Sequence, residues 1–592
     1  MNNLSNNKKK LLALLKQKKL KENAQHNVEP VAPFSLISDH DKSLLADDVV
    51  DAYPISVLQM GMLHHMDMSN GEESPADYHN LTTFRGRIKD AFDKTLFQES
   101  INIIVKEHDN LRTTFDLTNF SIPLQLVHRE ASLEMGYDDL RGLSEAEQEA
   151  EIGRYIELEN KNMFDITQAP LMRFHVHQIE DDVISLSFTE PHSVSDGWST
   201  HLTVMDIFDI YFALQRGQTF SLPEPALKYS DFIHEELKVL KSQEAIDFWD
   251  AKLKECVNTE LPFLEKEVAT QEVDIYSHKY PFKLPRDIVK QLHEVVKKTG
   301  VPFKGILLAI HFKFLSIVTG QSNVTTGLAF NGRLEAENSE QMRGMFLNTL
   351  PVSMDLSAGS WRDLILASHQ SELELVPFRR YPFGAIQKKY GTQPVFHTHL
   401  GFLHFHSMAD KIAEGNVEKI SNVDLSKTNF DLSTVFCMDP SDKYNIEFLG
   451  EVNLNKVSKS QFVSYMEVYV RLMKDLVENL DNPHASSCFL SNDEKEKQLV
   501  LWNQHELEYD RTLHIHTMVE RCAELYHDKV AAKYDDESIT YGELNTRANQ
   551  LAYCLVELGL KNNELVGICL ERSVESLIAM TAILKAGGRI YH

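Results

Sequence analysis

Residues 183–201 read VISLSFTEPHSVSDGWSTH, an alternating apolar run that leads into a histidine and an Asp-Gly pair. The alternation over 183–188 predicts a β-strand. After the pair, large apolar residues recur at the spacing of one helix face: Trp198, Leu202, Met205, Phe208 and Phe212. The segment therefore predicts a strand, a tight turn that contains His192, and a helix that packs on the strand.

His192 shares its parity with Ile184 and Leu186, so a continued strand would direct its side chain to the apolar side. Taken alone, a histidine at the end of a strand is more often a hydrogen-bonded structural residue than a catalytic base. Asp196 and Gly197 have local reasons of their own, because an Asp caps the following helix and a Gly permits a tight turn. The segment alone leaves a structural and a catalytic interpretation open.

The composition indicates a soluble globular protein with several lobes or domains, because 592 residues, 43% of them hydrophobic, exceed one ordinary core. The net charge of -27 would repel a phosphate backbone, which argues against nucleic acid as a partner. Six dispersed cysteines without a CxxC pair fit a reducing cytoplasm. No stretch has the length of a membrane span, so we expect a cytoplasmic protein that uses no membrane.

Residues 1–25 are basic in this acidic chain. Seven of them are lysines, and Leu11, Leu14 and Leu15 recur at helical spacing. The pattern fits a short amphipathic helix that docks an acidic partner segment, and equally a solvated terminus. Residues 26–48 are polar and punctuated by proline, which predicts a linker. We therefore expect a basic helix and linker over residues 1–48, with 1–25 as the candidate docking element.

From residue 49 onward, strands and helices alternate for about 440 residues. The segments 285–299 and 303–319 predict helices that end at Gly300 and Gly320, and residues 323–330 predict a strand. This mixed order predicts an α/β sandwich.

The HxxxDG pattern of His192, Asp196 and Gly197 resembles the acyltransferase superfamily that includes chloramphenicol acetyltransferase. The adjacent Trp198 and Ser199 narrow the resemblance to the condensation domains of non-ribosomal peptide synthetases, whose core motif is HHxxxDG. Further segments resemble motifs of that family in the same order: YPISVLQMGML (53–63), EHDNLRTTF (107–115), YSDF with FWDAKL (229–232 and 248–253), RGMFLNTLPV (343–352) and RRYPFGAI (379–386).

The resemblance implies a condensation domain over residues 49–490, built as two chloramphenicol-acetyltransferase-like α/β sandwich lobes, about 49–225 and 226–490, that form a V-shaped pseudo-dimer. A linker at 491–515 would lead to a truncated N-terminal part of an adenylation domain at 516–592, where ITYGEL (539–544) and LKAGG (584–588) resemble core motifs. The catalytic segments of the adenylation family would lie beyond His592, so we expect no adenylation activity from this chain.

By the same resemblance, the chain would join a donor acyl or peptidyl thioester to the amine of an acceptor aminoacyl thioester. Both groups would arrive on phosphopantetheine arms of carrier proteins, an upstream donor carrier and an acceptor carrier acting in trans, and no cofactor would be bound covalently. His192 would be the catalytic residue. Asp196 would form a structural ion pair with Arg333 of GLAFNGR (327–333), and Gly197 would support the turn.

The chain departs from the family pattern at Pro191, which occupies the place of the first motif histidine and removes a backbone donor beside the site. Glu107 and Asp109 also replace an Arg and a Glu of the second motif. Two alternative functions therefore stay open. One is a catalytically silent scaffold or docking protein of a synthetase assembly line, and the other is a free-standing HxxxDG acyltransferase.

Residues 396–407 contain a group of histidines that looks like a metal cluster: His397, His399, His404 and His406. Strand parity places the first two on one face and the last two on the other, so four ligands would not converge on one ion. We therefore expect no metal site.

Overall fold

The computed structural model describes residues 28–68, 78–220, 222, 225–262, 278–404, 417–424, 430–439, 442–453, 457–486, 489–505 and 507–591. The predicted docking helix at 1–25 lies outside these residues. The chain divides into two compact units between Phe489 and Leu490.

The first unit is a mixed α/β structure, as predicted. Its strands are numbered β1 to β14 along the chain: Val49–Pro54, His79–Ile88, Thr113–Asp116, Leu124–His128, Gly136–Asp139, Arg173–Gln178, Val183–Pro191, His278–Lys283, Asn323–Asn331, Leu347–Asp355, Thr398–His404, Val417–Asp424, Leu432–Met438 and Ile446–Val452. Its α-helices are numbered α1 to α12: Asp39–Ser43, Val57–Met68, Lys94–Glu107, Glu145–Glu159, Gly197–Gln215, Tyr229–Val239, Gln243–Lys252, Arg286–Thr299, Phe303–Thr319, Trp361–Leu375, Phe383–Tyr390 and Lys459–Glu478.

Each half of this unit is built around one large sheet. The first sheet has the order β12-β2-β7-β6-β5, in which β5 and β6 run parallel and the other neighbours run antiparallel. The second has the order β10-β9-β11-β13-β14-β8, and β11 runs parallel to both of its neighbours. A smaller sheet, β1-β4-β3, is formed by strands of the first half.

Strand β12 differs from the predicted lobe boundaries. It lies between β11 and β13 in the sequence, yet it pairs with β2 of the first sheet, from Val417 opposite Ile88 to Asp424 opposite Thr82. Residues 417–424 therefore belong to the first lobe, although the prediction assigned all of 226–490 to the second. The order of the strands in the sequence could not reveal this pairing, because the partner of a strand is set by contacts with residues far away in the sequence.

Residues 28–48 lie against the first unit, although their composition predicts a linker. Val31 N donates to Asp231 Oδ1 at 2.6 Å, and Ser121 N donates to the buried Asp41 Oδ1 at 2.8 Å. These hydrogen bonds make the segment part of the domain rather than a spacer.

The predicted strand and helix around His192 are confirmed as β7 and α5, but both are more deeply buried than a one-sided pattern suggests. In β7, Ser185 and Ser187 are as fully buried as Ile184 and Leu186. Helix α5 buries apolar residues beyond the predicted face: Val204, Ile207, Ile210 and Tyr211. The alternation in β7 therefore reflects residue type and not exposure, because both faces of the strand are covered.

The helix ends predicted in the second half are also confirmed. Helices α8 and α9 end at Thr299 and Thr319, where Gly300 and Gly320 adopt left-handed φ values of 73° and 70°. Such φ values favour glycine because it has no Cβ. Within the described ranges, no single helix has the length and hydropathy of a membrane span; α8 and α9 pass that test only as a pair, and they are bent by 107°.

The second unit contains shorter elements. Its strands β15 to β18 are Val530–Tyr534, Glu537–Thr540, Leu565–Gly567 and Arg589–Tyr591, and its α-helices α13 to α16 are Asn492–Leu499, Ile515–Leu525, Tyr541–Glu557 and Val574–Lys585. Strands β15 and β16 pair antiparallel, and β17 and β18 pair parallel. A small apolar cluster that includes Leu544, Ala548 and Ile578 packs α15 against α16.

Candidate active site

His192 lies in the turn between β7 and α5, one residue after the strand ends at Pro191. Its N–H donates to Tyr78 O at 2.7 Å, and its half-buried side chain places Nδ1 3.0 Å from Ser195 O. Because a carbonyl oxygen only accepts, Nδ1 carries the proton in this contact, and a neutral imidazole has its lone pair on Nε2. The turn, and not strand parity, therefore sets the direction of this imidazole.

Asp196 and Arg333 form the ion pair expected from the resemblance. Arg333 Nη1 donates to Asp196 Oδ2 at 2.8 Å and Nη2 donates to Oδ1 at 2.9 Å, so the contact is bidentate. The two side chains are 1% and 6% exposed. Asp196 also caps α5, because Ser199 N donates to its Oδ1 at 2.8 Å. One carboxylate thus starts the helix and joins it to the second half of the domain.

The residues around Asp196 determine its ionisation state. Burial alone would raise the pKa of Asp196, but the Arg333 guanidinium and the hydrogen bonds from Arg333 and Ser199 hold it below its ordinary value. Asp196 is therefore an anion at neutral pH and does not supply a proton. Its arrangement supports a structural role.

The backbone on both sides of this ion pair is joined as well. Asp196 N donates to Gly344 O at 3.0 Å, and Gly344 N donates to Ser199 Oγ at 3.1 Å. Trp198 Nε1 donates to Glu340 O at 2.9 Å. The start of α5 is therefore fastened to the segment 340–344 by main-chain as well as side-chain contacts.

A second buried ion pair, which was not predicted from the sequence, joins the same two segments. Arg343 Nη2 donates to Asp206 Oδ2, and both residues are buried. Burial lowers the pKa of Arg343 to about 10, against the opposing effect of Asp206. A signal existed, because Arg343 opens RGMFLNTLPV and Asp206 is an acid among the apolar residues of α5.

The first two motif segments contact the turn directly. Gln59 Nε2, from YPISVLQMGML, donates to Ser193 O at 2.8 Å. Asn110 Nδ2, from EHDNLRTTF, donates to Ser195 Oγ at 3.2 Å. Because Ser195 also presents its carbonyl to His192, these amides help to hold the hydrogen-bond acceptor that orients the imidazole.

The later motif segments pack behind the ion pair. Tyr229 OH, from YSDF, donates to Met345 O at 2.9 Å, and its ring contacts Phe346 edge-on with centroids 5.2 Å apart. Asn348 Nδ2 donates to Tyr381 O, in RRYPFGAI, at 2.8 Å. Residues from Gln59 to Phe346 therefore contact the turn or its ion pair.

The predicted tight turn suggests that only glycine fits at position 197, but the structure shows no such steric requirement. Its φ lies outside the left-handed region, and a Cβ added to it would meet no heavy atom within 4 Å. It occupies the exposed first position of α5. The glycine that is sterically required lies opposite, at Gly344, where φ is 149° and a Cβ would stand 2.3 Å from the Tyr229 ring.

Glu190 is a buried acid beside the turn. Thr200 Oγ1 donates to its Oε1, which ties the end of β7 to the first turns of α5. Burial raises the pKa of Glu190 to about 8, although the hydrogen bond from Thr200 opposes this shift. The carboxyl is therefore mostly neutral at pH 7.

The histidines of residues 396–407 bind separate partners where they are described. His397 Nδ1 lies 3.2 Å from Asp431 Oδ2, and His399 Nδ1 lies 3.1 Å from Ser433 Oγ. His404 ends β11, and His406 lies outside the described residues.

Comparisons with known proteins agree with this architecture. The family model for the condensation domain matches residues 49–499, and the model for AMP-binding enzymes matches residues 519–591. The chain is 27% identical over 554 residues to gramicidin S synthase 2 of Aneurinibacillus migulanus, covering 92% of this chain and 12% of that protein. It is 29% identical over 554 residues to malpinin synthetase of Mortierella alpina, covering 91% of this chain and 7% of that protein. The chain thus spans only 12% or less of the length of these relatives.

Solved structures share the fold. The first condensation domain of the calcium-dependent antibiotic synthetase matches with a TM-score of 0.61 at 15% identity, covering 75% of this chain and 100% of that one. A four-domain nonribosomal peptide synthetase bound to AMP and glycine matches with a TM-score of 0.64 at 16% identity, covering 92% of this chain and 42% of that one. Since the condensation-domain model matches most of its residues, this chain belongs to the condensation-domain family.

Proposed function

We propose that this chain forms amide bonds in nonribosomal peptide synthesis, joining a donor acyl or peptidyl thioester to the amine of an acceptor aminoacyl thioester. The observation that carries the proposal is the His192 imidazole, whose Nδ1–H is held by Ser195 O at 3.0 Å. Family membership over residues 49–499 supports the same assignment.

The amine does not need a strong base to deprotonate it before the bond forms. A free α-amine has a pKa of about 7.7 to 8.0, so a neutral fraction is present near neutral pH. The amine nitrogen attacks the thioester carbonyl carbon, the C–N bond forms, the C–S bond breaks and a thiolate leaves. The nitrogen becomes acidic as the bond forms, and the lone pair of His192 Nε2 accepts its proton, which then passes to the thiolate.

The same imidazole also serves to orient the amine. Held at Nδ1, it presents Nε2 in one direction, which positions the nucleophile and stabilises the tetrahedral intermediate. Asp196 and Arg333 are positioning residues in this scheme, because they fix the start of α5 and not the reacting atoms. Gly197 follows Asp196 as the first residue of α5.

Both substrates would be delivered on phosphopantetheine arms of carrier proteins, by an upstream donor carrier and an acceptor carrier in trans. The basic residues 1–25 are proposed to dock an acidic segment of the donor's protein. Such docking would weaken as salt concentration rises, because exposed charges are screened.

Carrier proteins loaded with acyl and aminoacyl groups test the proposal. The full chain should move the donor acyl group onto the acceptor carrier, measured as a gain in its intact mass. His192→Ala should slow this transfer by about 100-fold or more. His40→Ala, at an exposed histidine of the same unit, is the matched control and should retain wild-type transfer.

Two outcomes would overturn the proposal. If the folded chain binds both carriers but transfers nothing, the scaffold function suggested by Pro191 is favoured instead. If it acylates a small free amine or alcohol but not the carrier-bound amine, the free-standing acyltransferase is favoured.

A further inference from the structure

Two histidines and an aspartate lie side by side at the edge of the first sheet. His175 and His177 are two residues apart on β6, and Asp138 stands opposite His177 on the parallel edge strand β5. Because residues two apart on a strand share a face, both imidazoles lie on the same side. Ligand atoms of the three side chains all lie within 4.8 Å of one another.

Two of the separations between these side chains lie near those of a metal site. Asp138 Oδ2 lies 2.8 Å from His175 Nε2 and 3.7 Å from His177 Nε2. With metal bonds of about 2.0 Å in a tetrahedral arrangement, neighbouring ligand atoms stand about 3.3 Å apart. One observed separation is shorter and the other longer than this value, each by about half an ångström.

His177 has an unsatisfied ring nitrogen. The residue is 1% exposed, and within the described part of the chain its Nδ1 has no hydrogen-bond partner. The other ring nitrogen of His177, Nε2, faces Asp138 and lies 3.7 Å from its Oδ2. A neutral imidazole is the form that binds a metal. His177 would therefore bind an ion through Nε2, with the ring proton on the buried Nδ1.

The surroundings hold the imidazoles and leave access for an ion. The ring of Tyr155 lies 4.2 Å from that of His175 and 5.1 Å from that of His177, measured between centroids. The neighbouring cation, Arg85, is paired with Glu149 at 2.5 Å. The Asp138 side chain is 57% exposed, which opens the group to solvent.

We propose that Asp138, His175 and His177 bind one Zn²⁺ ion, which links the edge strand β5 to β6. Two imidazoles and one carboxylate are ligands that zinc accepts, and solvent would complete the four-coordinate shell. None of the three residues belongs to the turn that contains His192, so we expect the ion to act on stability and not on the condensation chemistry. The proposal departs from the expectation of no metal site.

The test is zinc binding to the full chain, measured by competition with a chromogenic chelator. Asp138→Ala and His175→Gln should each remove one zinc equivalent or raise its dissociation constant at least tenfold. The matched control is Asp48→Ala. Asp48 and His128 form a 2.8 Å pair whose side chains are 62% and 21% exposed, close to the 57% and 16% of Asp138 and His175. Asp48 belongs to no candidate three-ligand group in the described ranges, so its variant should bind zinc like the wild type.

Two further readouts separate a site from nonspecific binding. Zinc should raise the melting temperature of the wild type but not that of Asp138→Ala. Co²⁺ should give the wild type the intense visible absorption of a four-coordinate ion, which Asp138→Ala should lack. Equal zinc stoichiometry and affinity in the wild type and Asp138→Ala, or an equal loss in Asp48→Ala, would overturn the proposal.

Discussion

Replacing Asp196 with alanine tests how the two halves of the condensation domain are joined. Its carboxylate accepts two hydrogen bonds from Arg333, one from Ser199 N and one from Phe346 N, at 2.8 to 3.3 Å. Breaking a buried ion pair on one side costs about 3–5 kcal/mol, because the remaining charge stays buried. Losing the helix cap costs about 1 kcal/mol more. Asp196→Ala should therefore lower the free energy of unfolding of the first unit by about 4–6 kcal/mol.

A double-mutant cycle with Arg333→Met separates the ion pair from the loss of packing. Removing both charges should cost at least about 2 kcal/mol less than the sum of the single changes, because neither charge is then left unpaired. The assay is urea unfolding of the full chain, followed by circular dichroism and by the fluorescence of the tryptophans in the first unit. The parallel cycle uses Arg87→Met and Asp182→Ala, a more exposed pair at 2.6 Å, which should couple by less than about 1 kcal/mol.

The stabilisation that Asp196 gives the wild type depends on pH with a defined sign. The folded pKa of Asp196 lies below 3.8, its ordinary value. The stabilisation is therefore complete above that pH and is lost as the pH falls through the folded pKa. If Asp196→Ala costs no more than the exposed pair, or if the double variant costs the full sum, the ion pair does not join the halves as argued.

Two further predictions concern residues beside the same turn. Because the pKa of Glu190 is about 8 in the folded state and 4.5 is its ordinary value, stability should fall as pH rises between these values. The stability of Glu190→Gln should match that of the wild type near pH 4.5 and exceed it by about 2–4 kcal/mol at pH 8. Thermal melts at both pH values measure this difference, and a difference that stays constant across the range would contradict the prediction. Gly344→Ala should destabilise the domain by about 3 kcal/mol through its positive φ and the Tyr229 ring, whereas Gly197→Ala should change stability by less than about 0.5 kcal/mol. Equal unfolding midpoints for the two alanine variants would refute this contrast.

Local patterns predicted the elements on which the site depends. Alternation identified β7, helical spacing identified α5, and Gly300 and Gly320 marked the ends of two helices. These features follow from the backbone and from near neighbours, so a single segment contains the information for them. The Asp196–Arg333 contact was also expected, but from the resemblance to a family and not from spacing.

Contacts between distant segments could not be derived in this way. Three features depend on how residues far apart in the sequence pack together. They are the pairing of β12 with the first sheet, the Arg343–Asp206 ion pair and the close approach of Tyr229 to Gly344. The candidate zinc group shows the same limit on a small scale. His175 and His177 are visible as neighbours in HVH, whereas Asp138 joins them only through strand pairing.

The sequence by itself determined the strand, the turn and the helix around His192, because these depend on residues within a few positions of one another. Only the tertiary structure decided that Gln59 and Asn110 support that turn, and that Gly197 stands in open space. The physical reason is that hydrogen bonds and steric limits depend on distance in space. A one-dimensional pattern contains that distance only for neighbours in the chain.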